Sequence, residues 1–264
     1  MNNPQYGPFP AVAVTGIGCM FPKAKDKTAF WANIRDGLDC IVEIPDTHWR
    51  IADYFDPDPE RPDHTHARTG GFLDPVPFDP MEFGISPNSL EAIDTSQLLT
   101  LLATRQALAD AGYLNGRLPD KDRVSVILGV TGAQQLVIPL GARLYHPVFR
   151  KTLLESGLTE TEADEIVRRI NHNLVGWQEA SFPGLLGNVV AGRIANRFDL
   201  GGTNCVVDAA CAGSLASVHM ACMELRTRQA DMVITGGVDT FNDIFMYMCF
   251  TKTKARSEER RVGK

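Results

Sequence analysis

Apolar positions along this chain alternate between short closed runs and longer stripes at helical spacing. Ala11 to Ile17 is a brief apolar run closed by glycine, which suits a buried strand. Val124 to Val130 is a second such run and Met232 to Thr235 a third. Both of these read as central strands buried on two faces. Between the runs, Ile93 to Ala111 carries apolar residues at helical spacing and stops at Gly112, a C-terminal cap position. Thr159-Glu160-Thr161-Glu162, followed by Ile166, Val167 and Ile170, is a capping box opening another helix. Leu215, Val218, Cys222 and Leu225 share one face of a further helix, predicted to be buried. Strands alternating with helices imply a layered α/β sheet. Met1 to Pro10, rich in Asn, Pro and Gly, reads as a loose leader, and the proline-rich, charged segment Asp53 to Gly71 as a surface excursion. There is no internal repeat and no low-complexity stretch.

Composition narrows the class. A chain of 264 residues with 44% hydrophobic content can bury a real core. A formal net charge of −6 argues against nucleic acid or an anionic membrane as the main partner. No apolar run is long enough to span a bilayer, and no basic region precedes Ala11 to Met20 as a signal peptide would require. The 6 cysteines are scattered rather than framed for disulfides, so reduced thiols in a cytoplasmic enzyme are expected.

The candidate chemistry centres on Val207-Asp208-Ala209-Ala210-Cys211-Ala212-Gly213-Ser214-Leu215. Cys211 sits at the start of the predicted helix, where unpaired N–H groups and the dipole favour an anion and lower a thiol pKa. The small residues around it leave room for an acyl group, and the arrangement asks for covalent catalysis by cysteine. The competing reading is a buried structural cysteine. Asp208, three residues earlier, reads as a turn-fixing carboxylate rather than an active-site one. Cys205, Cys211, His219 and Cys222 lack the close pairs of a zinc site, so no metal is expected. His219 as general base fails on distance, since eight residues of helix place it ~12 Å along the axis. His64, His66 and His172 read as solvated. Gly129-Val130-Thr131-Gly132 and Gly236-Gly237 match no nucleotide fingerprint and read as tight turns. Phe245, Met246, Met248 and Phe250 suit an acyl tunnel and an ordinary core patch equally, which leaves Met246 and Phe250 as substrate-binding candidates.

The Cys211 segment resembles the nucleophile motif of the β-ketoacyl synthases, the condensing enzymes of fatty acid and polyketide assembly, with Asp208 to Leu215 fitting position by position. The glycine-rich approach Gly187 to Gly202 and the strand and turn Met232 to Val238 continue the likeness. So do Val14 to Pro22, Phe30-Trp31, Ile44-Pro45, Trp49-Arg50, Gly71 to Leu73, Phe78-Asp79, Phe83 to Pro87 and Ala109 to Tyr113. Together they cover Ala11 to Lys254. Ser181 to Leu186, Asp208 to Cys211 and Phe245 to Met248 look most like ketosynthase domains of polyunsaturated fatty acid synthase-like and type I polyketide synthases.

The resemblance implies a thiolase-like layered α/β fold (αβαβα), N-terminal half only. Its second half, with two histidines, a lysine and a glycine-rich turn, has no counterpart in the sequence. It also implies an acyltransferase that loads Cys211 and extends the chain with malonyl thioester from an acyl carrier protein. No cofactor of its own is expected, since phosphopantetheine is carried by that partner. A homodimer is implied, with Asn204 to Asp208 pairing across the two-fold axis. The alternatives are a thiolase-like acyltransferase and a catalytically dead binding or dimerisation element. Residues 11–255 are read as the synthase region after the 1–10 leader. Residues 256–264, charged and apolar-poor, read as a non-native or truncated tail. Without the second half, the chain by itself is expected to lack condensing activity and to be poorly stable, whereas self-acylation of Cys211 needs mainly the thiolate and its helix.

Overall fold

A computed structural model describes residues 11–114, 120–131 and 135–255. In chain order the elements are α1 (Lys27–Arg35), β1 (Val42–Glu43), α2 (Ile51–Tyr54), β2 (Thr69–Gly70) and α3 (Thr95–Asp110). Then follow β3 (Val124–Val130), α4 (Val137–Arg143), α5 (His146–Glu155), α6 (Glu160–His172) and α7 (Ser181–Gly184). The chain ends with α8 (Asn188–Phe198), β4 (Asn204–Val207), α9 (Gly213–Arg226), β5 (Met232–Val238) and α10 (Ile244–Lys252). The described residues fall into two compact units. One takes residues 11–14, 78–104 and those of 113–238, and the other takes 15–77, 105–112 and 239–255.

The first unit is built on a parallel sheet of order β4-β3-β5. Every residue of β3 is buried, as its run of Val, Ile and Leu requires for a strand covered on both faces. Helices α8 and α9 both pack on β3. Val190, Ala191, Ile194 and Ala195 form the buried stripe of α8. β5 is half-buried rather than fully buried, because it takes an edge of the sheet instead of the centre. The capping box of α6 is present in full: Thr159 accepts from Glu162 N–H and the Glu162 carboxylate accepts from Thr159 N–H. Glu162 is accordingly held below the usual carboxylate range, first by the Thr159 backbone N–H.

The run Ala11 to Ile17 is not a strand. Residues 11–14 are exposed, Val14 to 80%. A strand needs a neighbour for its backbone groups, and none is provided by the described residues.

The second unit packs around Trp49, Tyr247, Ile44, Ala67 and Phe72. Tyr247 lies edge-on to Trp49 at 5.2 Å between ring centroids, and its hydroxyl donates to the Thr69 carbonyl at 3.0 Å. Thr65 and Thr251 share a buried hydroxyl–hydroxyl bond of 2.7 Å. The segment Asp53 to Gly71 is therefore only partly a surface excursion. Thr65 and Ala67 are core, and Thr69–Gly70 pairs with β1. His64 and His66 within it are half-buried instead of solvated, with His64 Nδ1 2.8 Å from the Pro62 carbonyl oxygen, whereas His172 is exposed. Helix α3 ends where expected, with Gly112 at φ +78°, a left-handed position that glycine adopts without strain.

Candidate active site

The chain leaves the sheet at Val207, turns, and enters a 3-10 turn at Ala210–Ala212 that leads directly into α9. Asp208 tightens the turn by accepting the Ala210 N–H at 3.2 Å. Ala210 has φ +46°, a left-handed conformation for a residue with a Cβ. Its carbonyl accepts from the Thr131 hydroxyl at 3.3 Å and from the Gly213 N–H. The next residue is Cys211. It is exposed, and among the described residues its N–H meets no acceptor. A thiol and an N–H without a partner among the described residues thus stand side by side at the head of a helix.

Small residues position this turn. Gly213, Ser217 and Ala221 are the buried positions of α9, at i, i+4 and i+8. A Cβ at Gly129 of β3 would come within 2.4 Å of the Gly213 backbone carbon, so the helix start lies directly on the strand. At Gly237 of β5 a Cβ would fall 2.1 Å from Ser214 Oγ. Ser217 Oγ lies 2.8 Å from the Ser214 carbonyl and 2.7 Å from the Gly236 carbonyl, tying α9 to β5. The face predicted to be buried behaves otherwise. Leu215 and Val218 are 76% and 41% exposed, while Cys222 and Leu225 are half-buried. Close packing of backbone on backbone admits only the small stripe, which turns the larger apolar stripe outward. Cys211 is consequently at the mouth of a helix with one buried face, not of a buried helix.

The other sequence candidates separate. His219 is exposed on α9, two turns beyond Cys211. Cys205 is half-buried on β4, and burial, followed by the Glu224 carboxylate, pushes its thiol up and away from the reactive form. Among the described residues no group of three or more His, Cys, Asp or Glu is placed to hold a metal ion. Met246 is half-buried and Phe250 exposed, both on α10 of the second unit, while Cys211 belongs to the first. Sequence reasoning missed Thr131 and Ser217. The signals were present, since Thr131 follows the end of β3 and Ser217 lies one turn past Gly213 on a stripe of small residues. Of the predicted turns, Gly129 and Val130 belong to the end of β3 and Gly236 and Gly237 to β5, while Gly132 lies outside the described residues.

Comparison with known proteins gives a consistent set of relatives. The family model described as "Beta-ketoacyl synthase, N-terminal domain" matches residues 10–263. A polyunsaturated fatty acid synthase polypeptide of Thraustochytrium sp. is 38% identical over 251 residues, which are 95% of this chain and 9% of that protein. Polyketide synthase ThaG of Burkholderia thailandensis is 33% identical over 230 residues, covering 87% of this chain and 4% of its own length. Among solved structures, the oxazolomycin ketosynthase domain OzmH KS7 of Streptomyces albus JA3453 superposes with a TM-score of 0.67 at 26% identity. The match covers 91% of this chain and 36% of that one. The chain therefore spans a small part of the curated relatives and about a third of the solved domain.

Proposed function

This chain belongs to the β-ketoacyl synthase family, of which it carries the N-terminal domain, and on that premise we propose that Cys211 is the acyl acceptor of a decarboxylative condensing enzyme. It has the layered α/β fold of ketosynthase domains. The observation that carries the reading is the exposed thiol beside an N–H that meets no acceptor among the described residues, held on a turn between β4 and α9.

In the first step the Cys211 thiolate adds to the carbonyl carbon of an acyl thioester. The bond from that carbon to the pantetheine sulfur breaks, and the departing thiolate takes up the proton that the cysteine released. A malonyl thioester on an acyl carrier protein then loses carbon dioxide. The electron pair left on its α-carbon attacks the acyl-cysteine carbonyl, a C–C bond forms, and Cys211 departs as thiolate. The product is a β-ketoacyl thioester two carbons longer, on the carrier. In each tetrahedral stage the negative oxygen can accept the Cys211 N–H, one donor of an oxyanion hole. The phosphopantetheine arm belongs to the carrier, so the cysteine chemistry itself calls for no bound cofactor or metal. Six free thiols support a reducing, cytoplasmic setting; among the described residues no helix is long and apolar enough to cross a membrane.

The test is intact-mass analysis after incubation with an acyl thioester of N-acetylcysteamine. One acyl group is expected on the chain, absent from Cys211→Ala, with the circular dichroism spectrum of that variant unchanged. Acylation that persists in Cys211→Ala would exclude Cys211 as the acceptor.

A further inference from the structure

A cleft of 340 Å3 in the first unit lies along α8, and neither the Cys211 turn nor the strands β3, β4 and β5 contribute to its lining. Its lining combines Phe83, Ile85, Leu101 and Val189 with the guanidinium groups of Arg193 and Arg197. Val189, Arg193 and Arg197 stand at i, i+4 and i+8, so α8 presents them on a single face. Phe83, Ile85 and Leu101 are buried, which makes part of the lining dry.

The two arginines are unusual in their partners. Arg193 is half-buried, and its Nε donates to Gln97 Oε1 at 2.5 Å. Gln97 is fully buried, and its amide nitrogen is already spent on the carbonyls of Pro183, Gly184 and Leu186, at 3.0, 2.9 and 3.1 Å. Arg197 donates to the Glu82 backbone carbonyl. Among the described residues the partners of the two guanidiniums are an amide oxygen and a backbone carbonyl rather than a carboxylate, although each has five N–H donors to satisfy. Burial pushes the pKa of Arg193 down, the sign of a cation held without a counter-charge.

We propose that this cleft binds a small amphipathic carboxylate, with its acid group on Arg193 and Arg197 and its alkyl chain along Phe83, Ile85, Leu101 and Val189. The planar fork of arginine matches a carboxylate in two parallel hydrogen bonds. The apolar lining favours a ligand with a hydrocarbon body over a bare inorganic anion. The volume lies within the ~300–1,000 Å3 span of small-molecule sites. Occupancy is felt beyond the cleft, because Arg193 holds Gln97, and Gln97 holds the 183–186 segment that leads into α8.

Octanoate is the probe, titrated calorimetrically into the chain, with 1-octanol and inorganic phosphate as the apolar and anionic controls. Octanoate should saturate one site, and both controls should bind about tenfold more weakly or not at all. Arg197→Gln removes an exposed side chain and should weaken octanoate about tenfold while leaving the unfolding midpoint in place. Arg193→Lys should weaken it as well, since an ammonium cannot reproduce the fork. Equal affinity for octanoate and octanol, or an affinity unchanged in Arg197→Gln, overturns the proposal. So does an absence of saturable octanoate binding, including the case in which Arg197→Gln instead changes self-association and assigns the cleft to a second copy of the chain. Acylation of Cys211 is read separately in the same variants, so failure of either reading is distinguishable from failure of the other.

Discussion

Ala210 holds a left-handed backbone that glycine would hold more easily, immediately before the proposed nucleophile Cys211. Such a conformation costs an alanine about 1 kcal/mol locally, and it persists only because its surroundings determine it. Here those surroundings are the Asp208 carboxylate on the Ala210 N–H and the Thr131 hydroxyl on the Ala210 carbonyl. Glycine at this position relieves the strain but makes the unfolded chain more flexible, two effects of similar size and opposite sign. Ala210→Gly should therefore alter stability by no more than about 0.5 kcal/mol. Ala210→Val, whose β-branch is poorly tolerated at positive φ, should cost about 1–2 kcal/mol. Urea denaturation of both variants checks the pair, and equal effects would mean that the turn relaxes in solution. At this scale the sequence was legible where a residue's chemistry is local. The place of Cys211 at a helix start, the turn role of Asp208 and the cap at Gly112 all stood out. The positive φ of Ala210 did not, because alanine carries no signature for it.

Among the elements, α9 separates what helical periodicity can reveal from what it cannot. Its spacing marks two stripes, one of Leu215, Val218, Cys222 and Leu225 and one of Gly213, Ser217 and Ala221, and hydrophobicity selects the first as the buried one. The sheet selects the second, since Gly129 and Gly213 meet backbone to backbone and leave no room for a large side chain. Two substitutions discriminate between these stripes. Gly129→Ala forces a Cβ against the Gly213 carbonyl carbon and should destabilise the chain by about 2 kcal/mol or more. Leu215→Ser, at a position 76% exposed, should change stability by no more than about 0.5 kcal/mol. Thermal unfolding of the two proteins is the measurement, and a large loss in Leu215→Ser would return the burial to the apolar stripe. Legibility elsewhere followed the same physics. β3 read correctly because a parallel central strand is apolar throughout. Ala11 to Ile17 misled because an apolar run signals only that a strand is favourable, and pairing depends on a neighbour that can lie anywhere in the sequence.

For the whole molecule, the order β4-β3-β5 leaves β4 with one edge that no described strand covers. The sequence showed an α/β chain and its family, but not this order, nor the division into two units that interleave along the chain. Both depend on contacts between residues far apart in sequence. An uncovered edge strand offers a row of N–H and C=O groups to another chain. The register of β4 on β3 tells which groups those are. Val126 donates to the Thr203 carbonyl at 2.7 Å and stands opposite Asn204. In a parallel ladder the bonds on one strand come from alternate residues. Cys205 and Val207 therefore face β3, and Asn204 and Val206 direct their backbone groups outward. If two copies pair through this edge, as the family resemblance implies, Val206 N–H is part of the joint. Val206→Pro removes that N–H, spares the bonds to β3, and places proline where edge strands tolerate it. The chain should sediment as a dimer at micromolar concentration, and Val206→Pro as a monomer with an unchanged far-ultraviolet spectrum. A dimer that survives Val206→Pro would move the interface away from β4, and a chain that is monomeric throughout would leave that edge without a partner in solution.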